Sequence, residues 1–258
     1  MRIFIMKKST LIKAAVFVLL IIGAVIYTQF FMGDVSGVFS SKADEQMPVC
    51  SIKTDVKQIA LTIDTAFGND KTQQILDILD QYNVKATFFV VGVWAQENPE
   101  MLKKIIADGQ EVQNHSMKHE RYPDLQVSEV LADAQAAQSY LNEETGKNAN
   151  IIRLPFGAFD DKTLQVLQSS GFTPVKWSVD AEDWKTDDVK QIYNNVISNV
   201  KGGDIIMLQN NTAGAEGALK DIIAQLLDKG YEFKTISQIL PQGTLQVDSQ
   251  GRASVIQK

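Results

Sequence analysis

The sequence is poor in the residues that most often build disulfide and metal sites. Its 258 residues include one cysteine and two histidines. This scarcity excludes an internal disulfide framework, a cysteine-rich zinc module and any three-histidine metal site. Lysine and arginine number 25 against 31 aspartate and glutamate residues, and the net charge of −6 argues against electrostatic capture of nucleic acid. Any chemistry that needs an imidazole must use the two histidines present.

The rest of the composition is that of an ordinary globular protein. Hydrophobic residues make up 45% of the chain and charged residues 22%, enough to bury a sizeable core. A chain of this length holds one or two domains of typical size. A single barrel of about 200 to 250 residues fits it equally well.

An apolar stretch without charges runs from residue 14 to 32. About 20 such residues in a helix cross a bilayer core, and here four cationic residues precede the stretch and acidic residues follow it. This distribution predicts a cytoplasmic segment 1–13, an uncleaved anchor 14–32 and an extracytoplasmic body. A cleaved signal peptide and a secreted protein are the alternative, but the length of the run favours the anchor. Residues 33–57 are small and polar, as expected of a linker.

From Gln58 onward, short apolar runs alternate with longer stretches of helical periodicity. Helices between apolar strands are typical of βα units and a mainly parallel sheet. The sequence thus predicts an α/β fold, a distorted (β/α) barrel of about seven mainly parallel strands over residues 58–240, followed by a loose polar tail, 241–258. Strands are predicted at 59–64, 86–92, 111–116, 151–154, 173–179, 204–208 and 231–236, and helices at 71–82, 99–109, 128–145, 161–170, 187–199 and 216–229.

Several polar residues directly follow these apolar runs. In parallel α/β folds, functional groups collect at the carboxyl ends of the strands. Position alone therefore selects a group of candidate site residues, namely Asp64, His115 with His119, Arg153, Asp180 with Asp183, and Gln209.

The two histidines lie four residues apart, at His115 and His119. That spacing allows both imidazoles to bind one cation, although two neighbouring surface histidines would look the same. A metallopeptidase helix requires glutamate after the first histidine, and Ser116 stands there instead. An oxygen ligand would complete a three-residue set, and Asp64 and Asp70 follow the first strand of the barrel. Asp64 has an alternative role as an ordinary loop acid or helix cap.

Arg153 ends a predicted strand just before a rigid proline turn. A buried arginine needs an acidic partner, and Asp180 and Asp183 are both available. One alternative is that such an ion pair serves only the architecture of the fold. The other is that Arg153 keeps Asp64 ionised and oriented.

Taken together, these residues resemble the polysaccharide deacetylase family, the NodB-homology domain of carbohydrate esterase family four. The resemblance covers about residues 58–240. It implies a distorted (β/α) barrel that removes acetyl groups from N-acetylglucosamine-type sugars, here in a cell-envelope polysaccharide related to peptidoglycan or chitin. Five motifs carry it in the order expected of the family, ALTIDTAFGND at 60–70, HSMKH at 115–119, RLPFG at 153–157, DAEDW at 180–184 and MLQ at 207–209.

The resemblance also implies catalytic and metal-binding roles. Asp64 corresponds to the general base that activates a metal-bound water, and His115 and His119 correspond to ligands of a divalent metal such as zinc, cobalt or nickel. Arg153 corresponds to the residue that orients the base, with Asp183 as its partner. A Lewis-acid cation that polarises the amide carbonyl and a carboxylate that takes a proton are a sensible combination for this hydrolysis.

Substrate contacts follow from the same resemblance. The backbone N–H of Phe156 corresponds to the donor that stabilises the oxyanion, and Trp184 to a wall of the acetyl pocket. Met207 belongs to the last motif and is expected to contact the substrate.

Two positions depart from the family pattern. Thr65 replaces a metal-binding aspartate, so either Asp70 substitutes for it or the metal relies on Asp64 and water. Gln209 replaces the histidine that protonates the leaving amine, and loss of a general acid typically costs about 10²- to 10⁴-fold in rate. Water or Glu182 is a substitute donor. The sequence thus supports two hypotheses, a membrane-anchored deacetylase with an altered proton donor, and a catalytically impaired relative that binds glycan or metal.

Overall fold

A parallel sheet forms the centre of the protein. The structure is a computed structural model and describes residues 46–69 and 71–256. Within this part of the chain the strands are β1 (Ser51–Ile52), β2 (Gln58–Thr65), β3 (Thr87–Val90), β4 (Glu111–Asn114), β5 (Ile151–Arg153), β6 (Thr173–Val175), β7 (Val179–Asp180), β8 (Ile205–Gln209), β9 (Glu232–Lys234), β10 (Leu245–Val247) and β11 (Arg252–Val255).

Helices connect most of these strands and cover the outside of the sheet. In α1 (Thr72–Gln81) the buried residues Ile75, Leu76 and Leu79 recur at helical spacing, which explains why this segment packs as a helix. The longest described helix, α4 (Val127–Thr145), ends at Gly146, whose φ of 66° is the left-handed geometry that favours glycine. The described helices are α1 (Thr72–Gln81), α2 (Gly92–Glu97), α3 (Pro99–Ala107), α4 (Val127–Thr145), α5 (Asp161–Ser169), α6 (Val189–Ile197), α7 (Ala213–Asp228) and α8 (Ile236–Ile239).

Seven strands follow one another across the sheet in the order β6-β5-β4-β3-β2-β8-β7, and β9 pairs with the start of β2. Every pairing in this sheet is parallel, so the predicted α/β class and parallel sheet are confirmed. The strand β2 lies inside the sheet, and seven of its eight residues are buried, which accounts for its almost continuous apolar character.

The sheet curls but its two edge strands do not pair. The prediction of one strand over 173–179 is wrong, because this stretch contains both edge strands, β6 and β7. Only residues 176–178 join the two edge strands. Val175 and Val179 are four Cα–Cα steps apart along the chain, so their Cα atoms lie within about 15 Å of each other. The result is an open, curled α/β sheet.

A second, smaller sheet forms from the two ends of the described chain. Its strand order is β1-β11-β10, with β1 and β11 parallel and β10 and β11 antiparallel. The expectation of a loose tail after Pro241 is therefore wrong for residues 245–255, in which Ala253 is fully buried. The same pairing takes Ser51 and Ile52, predicted as linker, into the fold.

The predicted cytoplasmic segment and anchor, residues 1–32, lie outside the described residues. Among the helices that the structure describes, none has the length and apolar character needed to cross a membrane.

Candidate active site

The register of the sheet brings the predicted site residues to one edge. Asp64 on β2 lies opposite Gln209 on β8, and Met207 lies opposite Asp180 on β7. Asp64, Asp180 and Gln209 stand at or next to the carboxyl ends of their parallel strands, where functional groups of such folds gather. His115 follows the end of β4 directly.

The carboxylate of Asp64 forms a buried ion pair with Arg153. The Nη1 group of Arg153 donates to Oδ1 of Asp64 at 2.6 Å and to Oγ1 of Thr62 at 2.7 Å, and its Nη2 group donates to the carbonyl of Lys176 at 2.9 Å. Arg153 is fully buried and Asp64 is only 8% exposed. Arg153 thus binds the carboxylate directly, which is the orienting role that the sequence left open for it.

The predicted pairing of Arg153 with Asp183 is wrong. Oδ2 of Asp183 accepts hydrogen bonds from the N–H of Gln209 and the hydroxyl of Thr212, both at 2.8 Å. Oδ1 of Asp183 is buried and has no hydrogen-bond partner. Burial raises the pKa of Asp183 to about 6, although its two hydrogen bonds act in the opposite direction. Asp183 therefore supports the end of β8 and does not pair with Arg153.

The two histidines lie side by side next to Asp64, with ring centroids 4.8 Å apart. Nδ1 of His115 lies 2.9 Å from the carbonyl oxygen of Arg153. A carbonyl only accepts, so Nδ1 carries the proton and Nε2 keeps its lone pair. This Nε2 faces Oδ2 of Asp64 at 3.8 Å.

Burial keeps both imidazoles neutral near pH 7. It lowers the pKa of His115 and, with the help of neighbouring His115, lowers the pKa of His119 to about 4. Neutral imidazole is the form that binds metal ions. Nδ1 of His119 is moreover buried without a hydrogen-bond partner, which leaves this nitrogen available to a ligand.

The histidine pair suits a divalent cation, but the described residues do not complete a ligand set. Residues 46–69 and 71–256 contain no group of three or more His, Cys, Asp or Glu side chains arranged to hold a metal ion. The hydroxyl of Thr65 is buried and bonds to the carbonyl of Ile63 within its own strand. Asp70, predicted as a ligand, lies outside the described residues. Among the described residues, Asp64 is the acidic group that the structure places against the pair, 3.8 Å from Nε2 of His115.

A pocket of about 350 Å³ opens above these groups. Three aromatic side chains on its lining are unusually exposed, Phe67 at 59%, Phe156 at 63% and Trp184 at 53%. The rings of Phe67 and Phe156 pack on His119, with centroids 5.3 and 4.6 Å from its ring. Exposed apolar groups clustered around one cavity mark a binding site. The remaining lining residues are Asp64, Ala66, His115, Trp177, Asp180, Met207, Gln209, Asn210 and Asn211.

Backbone strain is concentrated around this pocket. Five residues other than glycine have positive φ in the described chain, and four of them lie in the site loops. Strain of this kind persists where surrounding contacts fix the conformation, and it is common at functional sites. The four residues are Ser116, His119, Phe156 and Glu182.

Comparison with known proteins agrees with this geometry. The Polysaccharide deacetylase family model matches residues 51–175, which contain Asp64, both histidines and Arg153. A peptidoglycan-N-acetylglucosamine deacetylase of Bacillus cereus is 33% identical over 194 residues, which cover 73% of this chain and 91% of the relative. The chain belongs to the polysaccharide deacetylase family.

A relative described as a pseudoenzyme shares the same fold. A structure of a CE4 family pseudoenzyme from Bacillus anthracis has a TM-score of 0.72 and 29% identity, covering 75% of this chain and 68% of that one. A mutant of that pseudoenzyme with restored enzymatic activity has the same TM-score at 30% identity, covering 75% and 71%. Membership in this polysaccharide deacetylase family therefore does not by itself decide whether a chain turns over substrate.

The structure also places residues in the pocket that the sequence did not single out. Phe67 lies inside the first motif, but nothing in its spacing distinguishes a pocket wall from an ordinary loop residue. Trp177 and the pair Asn210–Asn211 reach the pocket only because β7 and β8 lie side by side. Glu182, suggested as a substitute acid, is not among the pocket-lining residues and instead accepts a hydrogen bond from Lys185.

Proposed function

We propose that this protein is a membrane-anchored deacetylase that hydrolyses N-acetyl groups of a cell-envelope glycan with a divalent cation. One observation carries the proposal, the carboxylate of Asp64 held by Arg153 beside two neutral imidazoles in an open pocket. The relatives named peptidoglycan deacetylases support the choice of substrate.

Asp64 is the proposed general base. Arg153 occupies its Oδ1 atom, so Oδ2 is the oxygen left to take a proton from the attacking water. A divalent cation held by His115 and His119 would supply Lewis-acid polarisation of the amide carbonyl. The hydrogen bond from Arg153 holds the carboxylate in place.

Proton delivery to the leaving amine is the weak point of this site. Gln209 lines the pocket at the position where the family resemblance expects a histidine, and a carboxamide does not exchange protons near neutral pH. Asp180 is the one carboxyl group besides Asp64 among the described pocket residues. We therefore expect turnover to be slow, with water as the main donor.

The pocket rim suits a sugar substrate. Phe67, Phe156 and Trp184 offer exposed aromatic faces around the cavity, and the apolar faces of pyranose rings pack on such surfaces. An anchor formed by residues 14–32 would keep the enzyme at the envelope, where acetylated glycan is found. The apolar run and the cationic residues before it support this location.

The direct test is release of acetate from acetylated chito-oligosaccharides and from peptidoglycan strands, with zinc, cobalt or nickel added in turn. We expect slow release that depends on metal and is abolished in Asp64→Asn, which keeps the shape of the side chain but removes the base. Release that survives in Asp64→Asn would refute the assignment of the base.

A second candidate function is binding of glycan without turnover. Gln209 and Thr65 favour it, because they stand where the family resemblance expects the proton donor and a metal ligand. The similarity to a protein described as a CE4 family pseudoenzyme also supports it. Saturable binding of acetylated oligosaccharide by a metal-loaded protein that releases no acetate would establish this function instead.

A further inference from the structure

The loop that carries both histidines, residues 115–119, is held in a strained conformation. Ser116 has a φ of 71° and His119 a φ of 60°. A residue with a side chain pays about 1–2 kcal/mol for such left-handed geometry. The contacts that fix this loop therefore determine where the two imidazoles lie.

The carboxylate of Asp133 holds one side of the loop. Its Oδ1 accepts a hydrogen bond from the N–H of Met117 at 3.0 Å, and its Oδ2 accepts one from the N–H of Lys118 at 3.1 Å. The hydroxyl of Tyr122 donates to Oδ1 at 2.9 Å. Tyr122 is fully buried and Asp133 is 8% exposed, so these charge-assisted bonds lie in a poorly hydrated environment.

The first residues of α2 hold the opposite side. The N–H groups of Gly92 and Val93 donate to the carbonyls of Ser116 and Met117 at 3.0 and 2.9 Å. A Cβ atom on Gly92 would lie 2.2 Å from Sδ and 3.3 Å from Cα of Met117. A side chain at position 92 would therefore displace the Met117 side chain and crowd the backbone of the loop.

Two further hydrogen bonds fix the backbone next to the histidines. The N–H of His119 donates to Oγ of Ser116 at 2.7 Å, and the N–H of Ser116 donates to Oδ1 of Asn114 at 2.8 Å. Met117 and Lys118, which Asp133 holds, lie between the two histidines. A shift of either peptide group would change the separation and the orientation of the two rings.

We propose that Asp133, supported by Tyr122 and opposed by Gly92, is a positioning residue that fixes the geometry of the histidine pair for a divalent cation. The proposal rests on the metal site of the proposed function, but it does not require turnover. Asp133 lies outside the five sequence motifs and acts only through the backbone of the loop.

The test compares Asp133→Asn with Glu143→Gln in the full-length chain. Both changes replace a carboxylate on α4 by its amide, but Glu143 is exposed on the far part of the helix. In Asp133→Asn an amide N–H must face a backbone N–H of the loop. We expect the affinity for Co²⁺, measured by calorimetry, to fall about 10- to 100-fold in Asp133→Asn, with a changed visible d–d spectrum of the bound Co²⁺, and to stay unchanged in Glu143→Gln.

Two further variants keep the test decisive if Asp133→Asn folds poorly. Tyr122→Phe removes one hydrogen bond to Asp133, and Gly92→Ala pushes on Met117 from the other side. Each should weaken Co²⁺ binding while circular dichroism shows a folded protein. Wild-type affinity and spectrum in the folded variants, or a wild type that binds no Co²⁺, would overturn the proposal. A wild type that binds Co²⁺ but releases no acetate would refute only the deacetylase function.

Discussion

Nη1 of Arg153 lies 2.6 Å from Oδ1 of Asp64, and this ion pair is almost completely withdrawn from water. Two further hydrogen bonds anchor the guanidinium, to Thr62 and to the carbonyl of Lys176. The ring of Phe89 also packs 4.1 Å from its Cζ atom. Arg153 thus combines a structural role in the core of the sheet with a direct contact to Asp64, the proposed base.

Replacement of Arg153 by methionine should therefore affect stability and activity together. It leaves the carboxylate of Asp64 buried without its cation, and removing one partner of a buried pair typically costs about 3–5 kcal/mol. Arg121→Met is the matched control, because Arg121 pairs with Asp124 at 2.8 Å on the surface. That exposed pair should contribute less than about 1 kcal/mol. Equal free energies of unfolding in the two variants, measured with urea, would contradict the buried ion pair.

The buried carboxyl of Asp183 should be visible in the pH dependence of stability. Its pKa in the folded protein, about 6, lies above the ordinary value of 3.8, so its contribution to stability is fully present below pH 3.8 and is lost as the pH rises through 6. Asp183→Asn removes this titration. With chelator present, we expect the variant to gain about 2–3 kcal/mol over the wild type between pH 4 and 7. A difference between the two proteins that does not change with pH would show that Asp183 is not destabilised by burial.

Phe67 should contribute to substrate binding more than to the chemical step. Its exposed ring stands at the pocket rim, so Phe67→Ala removes apolar surface that a sugar ring would cover. We expect KM for an acetylated oligosaccharide to rise about 5- to 30-fold, as about 1–2 kcal/mol of lost burial implies, with a smaller change in kcat. Phe67→Tyr keeps the ring and should restore KM. An unchanged KM in Phe67→Ala would exclude the ring from the binding surface.

The sequence predicted what depends on local pattern. Strands such as β2 and β3 are buried apolar runs, and the residues that follow them had to meet at one edge because parallel strands share a direction. The candidate pair His115 and His119 followed from spacing alone. These features require no knowledge of which strands are neighbours.

Other features depend on contacts between distant segments and left no local signal. Asp183 could not be assigned to Gln209 and Thr212 rather than Arg153 without the register of β7 against β8. The hairpin of β10 and β11 pairs with β1, which lies about 200 residues earlier in the chain and is invisible to any local pattern. Asp133 bonds mainly to backbone groups, which every sequence offers at every position.

The most direct test of the account compares acetate release by the wild type and by Gln209→His on the same acetylated glycan. The proposed site has a base, an arginine that orients it and a pair of histidines, but no side chain that donates a proton efficiently to the leaving amine. The backbone of residue 209 is held by the hydrogen bond from its N–H to Asp183. A histidine there would stand opposite Asp64 at the edge of the pocket. We predict slow, metal-dependent release by the wild type and release about 10²- to 10⁴-fold faster by Gln209→His. Absence of acetate release from both proteins, with metal bound and the fold intact, would contradict the account.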